Sequence, residues 1–379
     1  MNSKTKVLVL GPGHPYRGGI SDTTESMARA FQRGGCEVTI ATYTALYPEF
    51  LFPGKTQFTP DPKPADLRIE RRIHTWNPLT WPGTINWMNG LEPDLVLTRF
   101  WIPFLGPSLG TLLRGIRKPA LRIGIPDNIK PHETRMGDLA LTRYFVQAND
   151  GFITLSKTVL EELREFTDKP ARSELHPIND HLAPAISRQE ARKRLGLDPD
   201  GRYLLFFGLI RHYKGLDLLL RAMAETSVQH LNIKLLVTGE FYEPEEEYRS
   251  LISELGLEDR VIVRNEFIPT AEMPDHFGAA DLVAQPYRTA SQSGIIPVAY
   301  HYDRPVLVTD VGGLGEFVET DRTGLIATPQ PAELAQAIVR FYENPEVFCH
   351  GIPEMKEALS WDRFAERVIE FTRTNVPNR

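Results

Sequence analysis

The chain has 379 residues, with 43 basic and 49 acidic side chains and a formal net charge of −6 at pH 7. At about 100–200 residues per domain, this length predicts two domains, and the mildly acidic balance excludes a global electrostatic attraction to nucleic acid. The two cysteines, Cys36 and Cys349, offer no disulfide framework and no metal-ligand spacing. We expect both to be buried small residues in a reducing compartment.

The first residues, MNSKTKVLVLGPG, run directly into a short strand and a turn instead of the long apolar segment of a signal peptide. No uncharged apolar run of about 18 residues follows in the chain. We therefore expect a cytoplasmic protein that is neither secreted by a classical signal nor membrane-spanning.

Short apolar runs alternate with amphipathic helical patterns, which predicts parallel sheets covered by helices. Five strands are predicted in the first half: KVLVL, EVTIAT, PDLVLT, PALRIGI and GFITL. Five more are predicted in the second half: RYLLFFG, IKLLVTG, VIVRN, DLVAQP and RPVLVT. The chain is thus expected to form two Rossmann-like domains of similar size.

Residues 176–201 contain prolines and charges but no strand pattern, so they predict a domain boundary. We place an N-terminal domain at residues 1–183, a C-terminal domain at 184–358 and a final helical segment at 359–379. Ser360 is the expected N-cap of that last helix, whose broad apolar face must pack against another element. The apolar face consists of Trp361, Phe364, Val368, Ile369 and Phe371.

The turn after the first strand begins like a dinucleotide-binding fingerprint, G-x-G-x-x-G, with Gly11 and Gly13. Tyr16 occupies the third glycine position. The second strand ends in Ala-Thr-Tyr at residues 41–43, where an acidic residue would be needed to hold a ribose. A nicotinamide dinucleotide site is therefore excluded.

Gly18 and Gly19 come next, directly before a predicted helix with Ser21 and Asp22 as candidate caps. A flexible backbone at a helix start can approach a phosphate or a sugar closely. A glycine pair before a helix also serves as a plain turn, so both interpretations stay open.

The second half opens with FFGLIRHYKGLDLLL, residues 206–220, in which an apolar strand ends in glycine and Arg211 and Lys214 precede a helix. At this point a parallel sheet presents its ligand crevice, and the next helix presents unpaired N–H groups. The two cations predict an anionic ligand. The alternative is a pair of solvated side chains.

Two later strand-to-helix loops are candidates for the same ligand, because a helix N-terminus suits a diphosphate and glycines let the backbone approach it. The first loop contains Ser291, Gln292, Ser293 and Gly294. The second contains Gly312, Gly313, Gly315 and Glu316.

Five stretches in this order resemble the retaining GT-B glycosyltransferases of family 4, also called glycosyl transferases group 1. They are GGIS, FFGLIRHYKGLD, QSGIIPVAY, RPVLVTDVGGLGE and SWDRFAERV. The resemblance covers nearly the whole chain and implies an α/β GT-B fold, with two Rossmann-like domains whose parallel sheets face a central cleft. It also implies that the C-terminal helix crosses back to the N-terminal domain.

The resemblance further implies a hexosyltransferase that uses a nucleoside-diphosphate sugar as donor and a glycan or lipid-linked glycan as acceptor, in polysaccharide or cell-envelope biosynthesis. Arg211 and Lys214 would hold the diphosphate and be catalytic, and Gly18 and Gly19 would lie over the donor phosphates. Residues 291–294 would line the donor side of the cleft.

One feature departs from the family. Many members carry a pair of glutamates that contact the donor sugar and ribose, whereas the matching positions here are Ala290 and Val298. Neutral side chains of residues 289–293, or Glu316 from the next loop, would then contact the sugar. The choice of donor is left open.

Breaking a sugar–diphosphate bond builds negative charge on the leaving group, which must be stabilised where it develops. Arg211 offers a planar fork and Lys214 a point charge, so the pair can replace a divalent metal. No Asp-x-Asp cluster placed as a metal site is evident, and neither metal nor cofactor is expected. Retention follows from the family, and front-side attack with a donor phosphate oxygen taking the acceptor proton needs no protein nucleophile.

The turn after the predicted strand PALRIGI contains Asp127, His132 and Arg135. Family members often place a histidine near the transferred sugar, so the resemblance gives His132 a catalytic role. Asp127, Arg135 and Trp101 are assigned to the acceptor side. A structural histidine and a solvent-facing arginine are the alternatives.

Four of the five tryptophans, Trp76, Trp81, Trp87 and Trp101, fall in one part of the predicted N-terminal domain. They are either packing residues or part of an apolar surface, extended by residues 50–53, that receives a lipid-linked acceptor at the inner membrane face. Two other functions also stay open, namely a non-hydrolysing sugar-nucleotide epimerase of the same fold and a non-catalytic nucleotide-sugar binding protein.

Overall fold

The structure is a computed structural model that describes residues 4–47, 57–59, 62–117, 119–130, 136–178, 182–290 and 293–376. The chain forms two compact units: the first comprises Met1–Leu175 and Ser360–Arg379, and the second comprises His176–Leu359. The chain thus passes to the second unit after Leu175 and returns after Leu359, whereas the linker composition placed these boundaries at residues 183 and 358.

The strands of the first unit are β1 (Lys6–Leu10), β2 (Glu37–Ala45), β3 (Ile69–His74), β4 (Leu95–Phe100), β5 (Leu121–Pro126), β6 (Gly151–Thr154) and β7 (Ala171–Ser173). Those of the second unit are β8 (Arg202–Phe207), β9 (Ile233–Thr238), β10 (Val261–Arg264), β11 (Leu282–Gln285), β12 (Val306–Thr309) and β13 (Gly324–Ala327). The sheet orders are β3-β2-β1-β4-β5-β6-β7 and β10-β9-β8-β11-β12-β13, and all strand pairs are parallel. The predicted α/β class with two Rossmann-like sheets is confirmed.

Helices connect the strands in both units. In chain order they are α1 (Gly19–Arg33), α2 (Trp81–Gly90), α3 (Gly106–Arg114), α4 (Asp138–Gln147), α5 (Lys157–Arg164), α6 (Arg188–Leu195), α7 (Leu216–Ala224), α8 (Thr226–Gln229), α9 (Glu245–Glu254), α10 (Met273–Ala279), α11 (Ile295–His301), α12 (Pro331–Glu343), α13 (Ile352–Ala358) and α14 (Trp361–Thr374).

The prediction of five strands in each sheet was wrong, because it missed β3, β7 and β13. All three lie at a sheet edge, where one side of a strand faces solvent and the continuous apolar run of a buried parallel strand is not required. Arg71 and Arg72 of β3 are exposed, β7 has only three residues, and Ile326 of β13 points outward.

Helix α14 completes the core of the first unit. Trp361 is fully buried and Phe364 nearly so, in one cluster with residues of β1, β4 and α1, and the Arg33 Nε to Asp362 Oδ1 distance is 2.7 Å. The predicted N-cap is confirmed, since the Ser360 hydroxyl accepts a hydrogen bond from the Arg363 amide at 3.2 Å. The predicted return of the last helix to the N-terminal domain is also confirmed.

Helix α1 begins earlier than the caps proposed for it. Gly18 is its N-cap and has no side chain to cap with, so Ser21 already lies in the first turn. The Ser21 hydroxyl donates instead to the Tyr16 carbonyl oxygen at 2.7 Å. Ser21 therefore fastens the preceding loop and does not cap the helix.

Each sheet has one switch point, where the chain stops adding strands on one side and continues on the other. It lies between β1 and β4 in the first unit and between β8 and β11 in the second. Ligands of open parallel sheets bind at the carboxyl ends of the strands at such switch points. The segment with Arg211 and Lys214 leaves β8, and the loop with Ser293 and Gly294 leaves β11. The fold thus brings four of the predicted residues, Arg211, Lys214, Ser293 and Gly294, to the carboxyl-end edge of the second sheet.

Both cysteines are free thiols. Cys36 is half-buried, but Cys349 is exposed at the end of the 3₁₀ turn Pro345–Cys349, so the expectation that it would be buried was wrong. Within the part of the chain that the structure describes, no helix combines the length and the apolar character needed to cross a membrane.

Candidate functional site

The turn between β8 and α7 requires glycine at position 215, because another backbone segment approaches it too closely for a side chain. Gly215 has φ +70°, and a Cβ on it would lie 2.0 Å from the carbonyl oxygen of Pro286. That oxygen belongs to the segment after β11, so the two loops at the switch point touch through Gly215. The residue before it, Lys214, is thereby held with its side chain over the ends of both strands.

Lys214 is a buried ammonium group at this point, since the residue is only 8% exposed. Its Nζ lies 5.5 Å from the ring centroid of Tyr287 and would be 3.3 Å from a Cβ built on Gly208. Burial, together with the nearby charge of Arg211, lowers the pKa of Lys214 to about 8. The side chain is therefore held in a place that penalises its own charge.

No carboxylate compensates that charge among the described residues, where Lys214 Nζ has neither a hydrogen bond nor an ion pair. Asp217 lies close in sequence but is bound by Arg288, whose Nη1 and Nη2 donate to its two carboxylate oxygens at 2.7 and 2.6 Å. Arg192, another buried cation of the same unit, is by contrast fully engaged: it donates hydrogen bonds to two backbone carbonyl groups and to Asp281. Buried charges are normally paired in this way, so the geometry at Lys214 fits an anion from outside the chain.

Arg211 lies three residues before Lys214 and is exposed. Its side chain has no hydrogen bond or ion pair with any described residue, and its guanidinium carbon lies 4.9 Å from the ring centroid of Tyr242. The predicted pair of cations is thus present at the carboxyl end of β8, one buried and one at the surface.

The loop after β11 is partly structural. Ser293 is 4% exposed, its hydroxyl donates to Gln285 Oε1 at 3.0 Å, and it accepts from the Ile295 amide at 3.2 Å. Gly294 is exposed, with open space around its Cα. Its neighbours Ser291 and Gln292 lie outside the described residues.

The next loop, after β12, contains a 3₁₀ turn, Leu314–Phe317, preceded by Gly312 at φ +51°. Glu316 lies in this turn and is half-buried. Because β12 is the neighbour of β11, this loop leaves the same edge of the sheet as Lys214. Val298 lies in α11 and is a buried apolar residue, 9% exposed.

Gly18 and Gly19 lie in the loop between β1 and α1, at the switch point of the first unit. Gly18 has φ +110°, a backbone conformation that glycine adopts readily, and Gly19 follows it; both are exposed. No atom lies within 4 Å of a Cβ built on either residue. Crowding therefore does not explain these glycines, although the positive φ explains Gly18.

Asp127 forms a buried ion pair with Arg99. Both carboxylate oxygens accept from the guanidinium group, one of them from Nε at 3.2 Å, and the two side chains are 8% and 1% exposed. Arg99 Nη1 has no hydrogen-bond partner in the described structure. Asp127 was predicted on the acceptor side, and Arg99, its counter-ion, was missed because it lies inside an apolar strand.

Trp101 is half-buried and hydrogen-bonded, since its Nε1 donates to the hydroxyl of Tyr47 at 2.6 Å. Its ring meets the edge of the Tyr43 ring with centroids 6.3 Å apart. His132 and Arg135 lie outside the described residues, as do residues 50–53. Among the described residues, no group of three histidine, cysteine, aspartate or glutamate side chains is placed to hold a metal ion.

Comparison with known proteins connects this geometry with a family. Residues 201–344, which include Arg211, Lys214 and the loops after β11 and β12, match the family model of glycosyl transferases group 1. The second unit is a glycosyl transferases group 1 domain. Its motifs had predicted this resemblance, which is confirmed.

Curated relatives of this chain include a D-inositol 3-phosphate glycosyltransferase of Nocardioides sp., 30% identical over 76% of this chain and 65% of its own length. Another is the lipopolysaccharide core biosynthesis mannosyltransferase LpsB of Rhizobium meliloti, 30% identical over 57% of this chain and 60% of its own. The chain thus spans less than two thirds of the length of these relatives.

Solved structures share the whole two-unit architecture. Sucrose-phosphate synthase from Thermosynechococcus elongatus has a TM-score of 0.70 at 20% identity and covers 98% of each chain. HepE of Anabaena, solved with UDP-glucose, has a TM-score of 0.67 at 15% identity, covering 96% of this chain and 99% of its own. At these identities the likeness shows the fold, which is GT-B.

Proposed function

We propose that this protein is a retaining, metal-independent glycosyltransferase that moves a hexose-type sugar from a nucleoside-diphosphate sugar to a glycan or lipid-linked glycan acceptor. The observation that carries the proposal is Lys214, a buried ammonium group without an anionic partner among the described residues, at the switch point of a glycosyl transferases group 1 domain. The functions of the curated relatives support the same reaction class.

The chemistry follows from charge. When the bond between the sugar and the diphosphate breaks, the diphosphate leaves with the bonding electrons, and Lys214 and Arg211 stabilise the negative charge where it develops. Because Lys214 is shielded from water, its attraction to the phosphate is stronger than that of an exposed lysine. A phosphate oxygen of the leaving group takes the acceptor proton, and the new glycosidic bond forms on the same face, so no protein nucleophile is needed.

Two alternatives use the same site. A sugar-nucleotide epimerase would convert the donor without any acceptor, and a binding protein would hold the nucleotide without turnover. The glycosyl transferases group 1 match favours transfer over both.

The test is a panel of UDP-, GDP- and ADP-sugars, first by thermal shift and then by turnover with and without short glycan acceptors. We expect one donor class to stabilise the protein, sugar release to depend on acceptor, and the product to keep the anomeric configuration by NMR. Activity should survive EDTA, because the two cations supply the charge. Turnover that needs no acceptor, or that only magnesium restores after EDTA, would contradict the proposal.

The pKa of Lys214 predicts how nucleotide affinity depends on pH. In the free protein the group loses its proton as the pH rises through about 8. A bound diphosphate favours the charged form and raises that pKa, so binding takes up a proton near pH 8 and affinity falls above it. Calorimetry of nucleoside-diphosphate binding in two buffers of different ionisation enthalpy measures the proton. The uptake should vanish in Lys214→Met; uptake that persists would assign it to another group.

We further propose that the acceptor is presented at the cytoplasmic face of a membrane. Trp81 Nε1 donates to the His74 carbonyl oxygen, and Trp87 packs under Arg72, so these two residues serve packing. Trp76 is 41% and Leu79 89% exposed, however, and both lie on one short segment. Such a pair suits insertion at a lipid interface.

Vesicle co-sedimentation checks the membrane proposal. We expect the full chain to bind vesicles containing anionic lipid, and Trp76→Ser/Leu79→Ser to weaken that binding while donor turnover on a water-soluble acceptor stays unchanged. Equal sedimentation of the variant and the wild type would contradict the membrane proposal and would indicate that Trp76 and Leu79 only stabilise their own loop.

A further inference from the structure

The contact between Arg211 and Tyr242 is unusual for a pair so close to an anion site. Tyr242 is 55% exposed, and its ring is the group on which the Arg211 guanidinium rests, 4.9 Å from centroid to guanidinium carbon. An exposed arginine normally samples many rotamers in water, and ordering it costs conformational entropy. Here a ring holds it before any ligand is present.

The backbones that carry the two side chains are fastened to each other. The Ile210 amide donates to the Glu240 carbonyl oxygen at 2.9 Å, and the Tyr242 amide donates to the Ile210 carbonyl oxygen at 3.1 Å. The amide of Phe241 donates to Asn265 Oδ1 at 3.1 Å. The segments after β8 and β9 therefore continue side by side beyond the sheet, so the contact is built from two ordered segments.

Two glycines allow this close approach. A Cβ on Gly239, at φ +141°, would lie 2.1 Å from the carbonyl oxygen of Gly208. Gly208 itself has φ +106°. Larger residues would push the two segments apart and carry Tyr242 away from Arg211, which indicates that the sequence is adapted to this register.

The charges around Arg211 explain why an aromatic ring, and not a carboxylate, holds its guanidinium group. The charge of Arg211 contributes to lowering the pKa of Lys214, so the two cations repel each other, and an unheld Arg211 would turn towards water. The face of an aromatic ring carries negative potential and attracts a guanidinium group. A carboxylate would hold Arg211 more strongly but would cancel its charge and occupy its N–H donors. A ring leaves both for a ligand.

We propose that Tyr242 is a positioning residue that holds the Arg211 guanidinium, uncancelled and beside Lys214, for the phosphate oxygens of the nucleoside diphosphate. The inference rests on the proposed function and deepens it, because it assigns to one aromatic ring the ordering of a phosphate-binding arginine. Tyr242 acts through Arg211 and touches neither the sugar nor the reacting bond.

The test measures binding of UDP, GDP, ADP and inorganic pyrophosphate by calorimetry. Tyr242→Leu should weaken pyrophosphate and the preferred nucleotide by the same factor, about three- to tenfold, as expected for losing one cation–π contact and the order it provides. Tyr242→Phe keeps the ring and should retain most of the affinity. A loss confined to the nucleotide would show that Tyr242 stacks on the base instead, and would overturn the proposal.

A double-mutant cycle separates action through Arg211 from independent action. Arg211→Ala/Tyr242→Leu should bind no more weakly than Arg211→Ala alone, because the ring has nothing left to hold. Losses that multiply in the double variant would overturn the inference. The melting temperature of each variant is measured as well, and unchanged values exclude a folding defect as the cause of weaker binding.

A matched control and a separate readout complete the design. Tyr144→Leu removes another arginine–tyrosine stack, with Arg114 at 3.8 Å in the first unit, and should leave binding unchanged. Failure of wild-type protein to bind any nucleotide, or normal binding by Lys214→Met, would reject the proposed function itself. Normal binding by Tyr242→Leu beside defective Lys214→Met would reject only the role of Tyr242.

Discussion

Lys214→Met is expected to lower kcat by about 10²–10³, as loss of one preorganised donor to a developing oxyanion does, and at the same time to stabilise the protein. The wild-type ammonium group is desolvated, with its pKa lowered from 10.5 to about 8. This folded-state pKa lies below that of the unfolded chain, so the penalty on stability is fully present below pH 8 and is relieved as the pH rises from about 8 to 10.5. Methionine keeps the apolar stem and removes the penalty.

At pH 7 the gain in unfolding free energy should be on the order of 1–3 kcal/mol. Steady-state kinetics and thermal unfolding measure the two effects on the same preparation. Arg211→Ala should show a similar loss of kcat with a much smaller gain in stability, because Arg211 is exposed and its charge is only the lesser cause of the lowered Lys214 pKa. Lys193→Ala, an exposed lysine of α6 in the same unit, is the matched control and should change neither. Normal turnover by both Lys214→Met and Arg211→Ala would remove these residues from the site.

Arg99→Met is expected to destabilise the first unit by about 3–5 kcal/mol, because it leaves the carboxylate of Asp127 buried without its partner. Denaturant unfolding followed by tryptophan fluorescence is the appropriate measurement. All five tryptophans, at positions 76, 81, 87, 101 and 361, belong to the first unit. The fluorescence signal therefore reports on this unit and leaves the second unit silent.

The double variant Arg99→Met/Asp127→Leu should recover most of the lost stability, since two apolar side chains of similar volume replace the whole pair. If it is as unstable as Arg99→Met, the damage comes from packing and the ion pair is not its cause. A shift of less than about 1 kcal/mol in Arg99→Met would place the pair with ordinary surface salt bridges and contradict the buried geometry.

The central strands and the long helices could be predicted from sequence because burial on both faces leaves a continuous apolar signal. Nine of the ten predicted strands lie inside a sheet and show this, and α14 was predicted from its apolar face and its cap. Three of the four edge strands, β3, β7 and β13, could not; β3, for example, reads IERRIH, which resembles a polar loop when its neighbours are unknown. The start of α1 was misplaced because Gly18 supplies an N-cap without any side chain.

The candidate site divides in the same way. Arg211 and Lys214 could be predicted from the sequence, because two cations beside a glycine at the end of a strand form a recognisable local pattern. The contact of Tyr242 with Arg211 and the pairing of Arg99 with Asp127 depend on which strand ends are neighbours, and no local pattern records that. The burial of Lys214, on which the proposed function rests, likewise depends on Tyr287 and Gly208 from two different strand ends.

The discontinuous first unit has a consequence for the order of folding during synthesis. The second unit is inserted between Leu175 and Ser360, and its two ends are joined by a hydrogen bond from the Ile178 amide to the Leu359 carbonyl oxygen at 2.8 Å. A growing chain presents the first seven strands to solvent early, but Trp361 fills their core only after the whole insert has left the ribosome. The half that is translated first is therefore completed last, and during that interval its open apolar face is what a chaperone would meet.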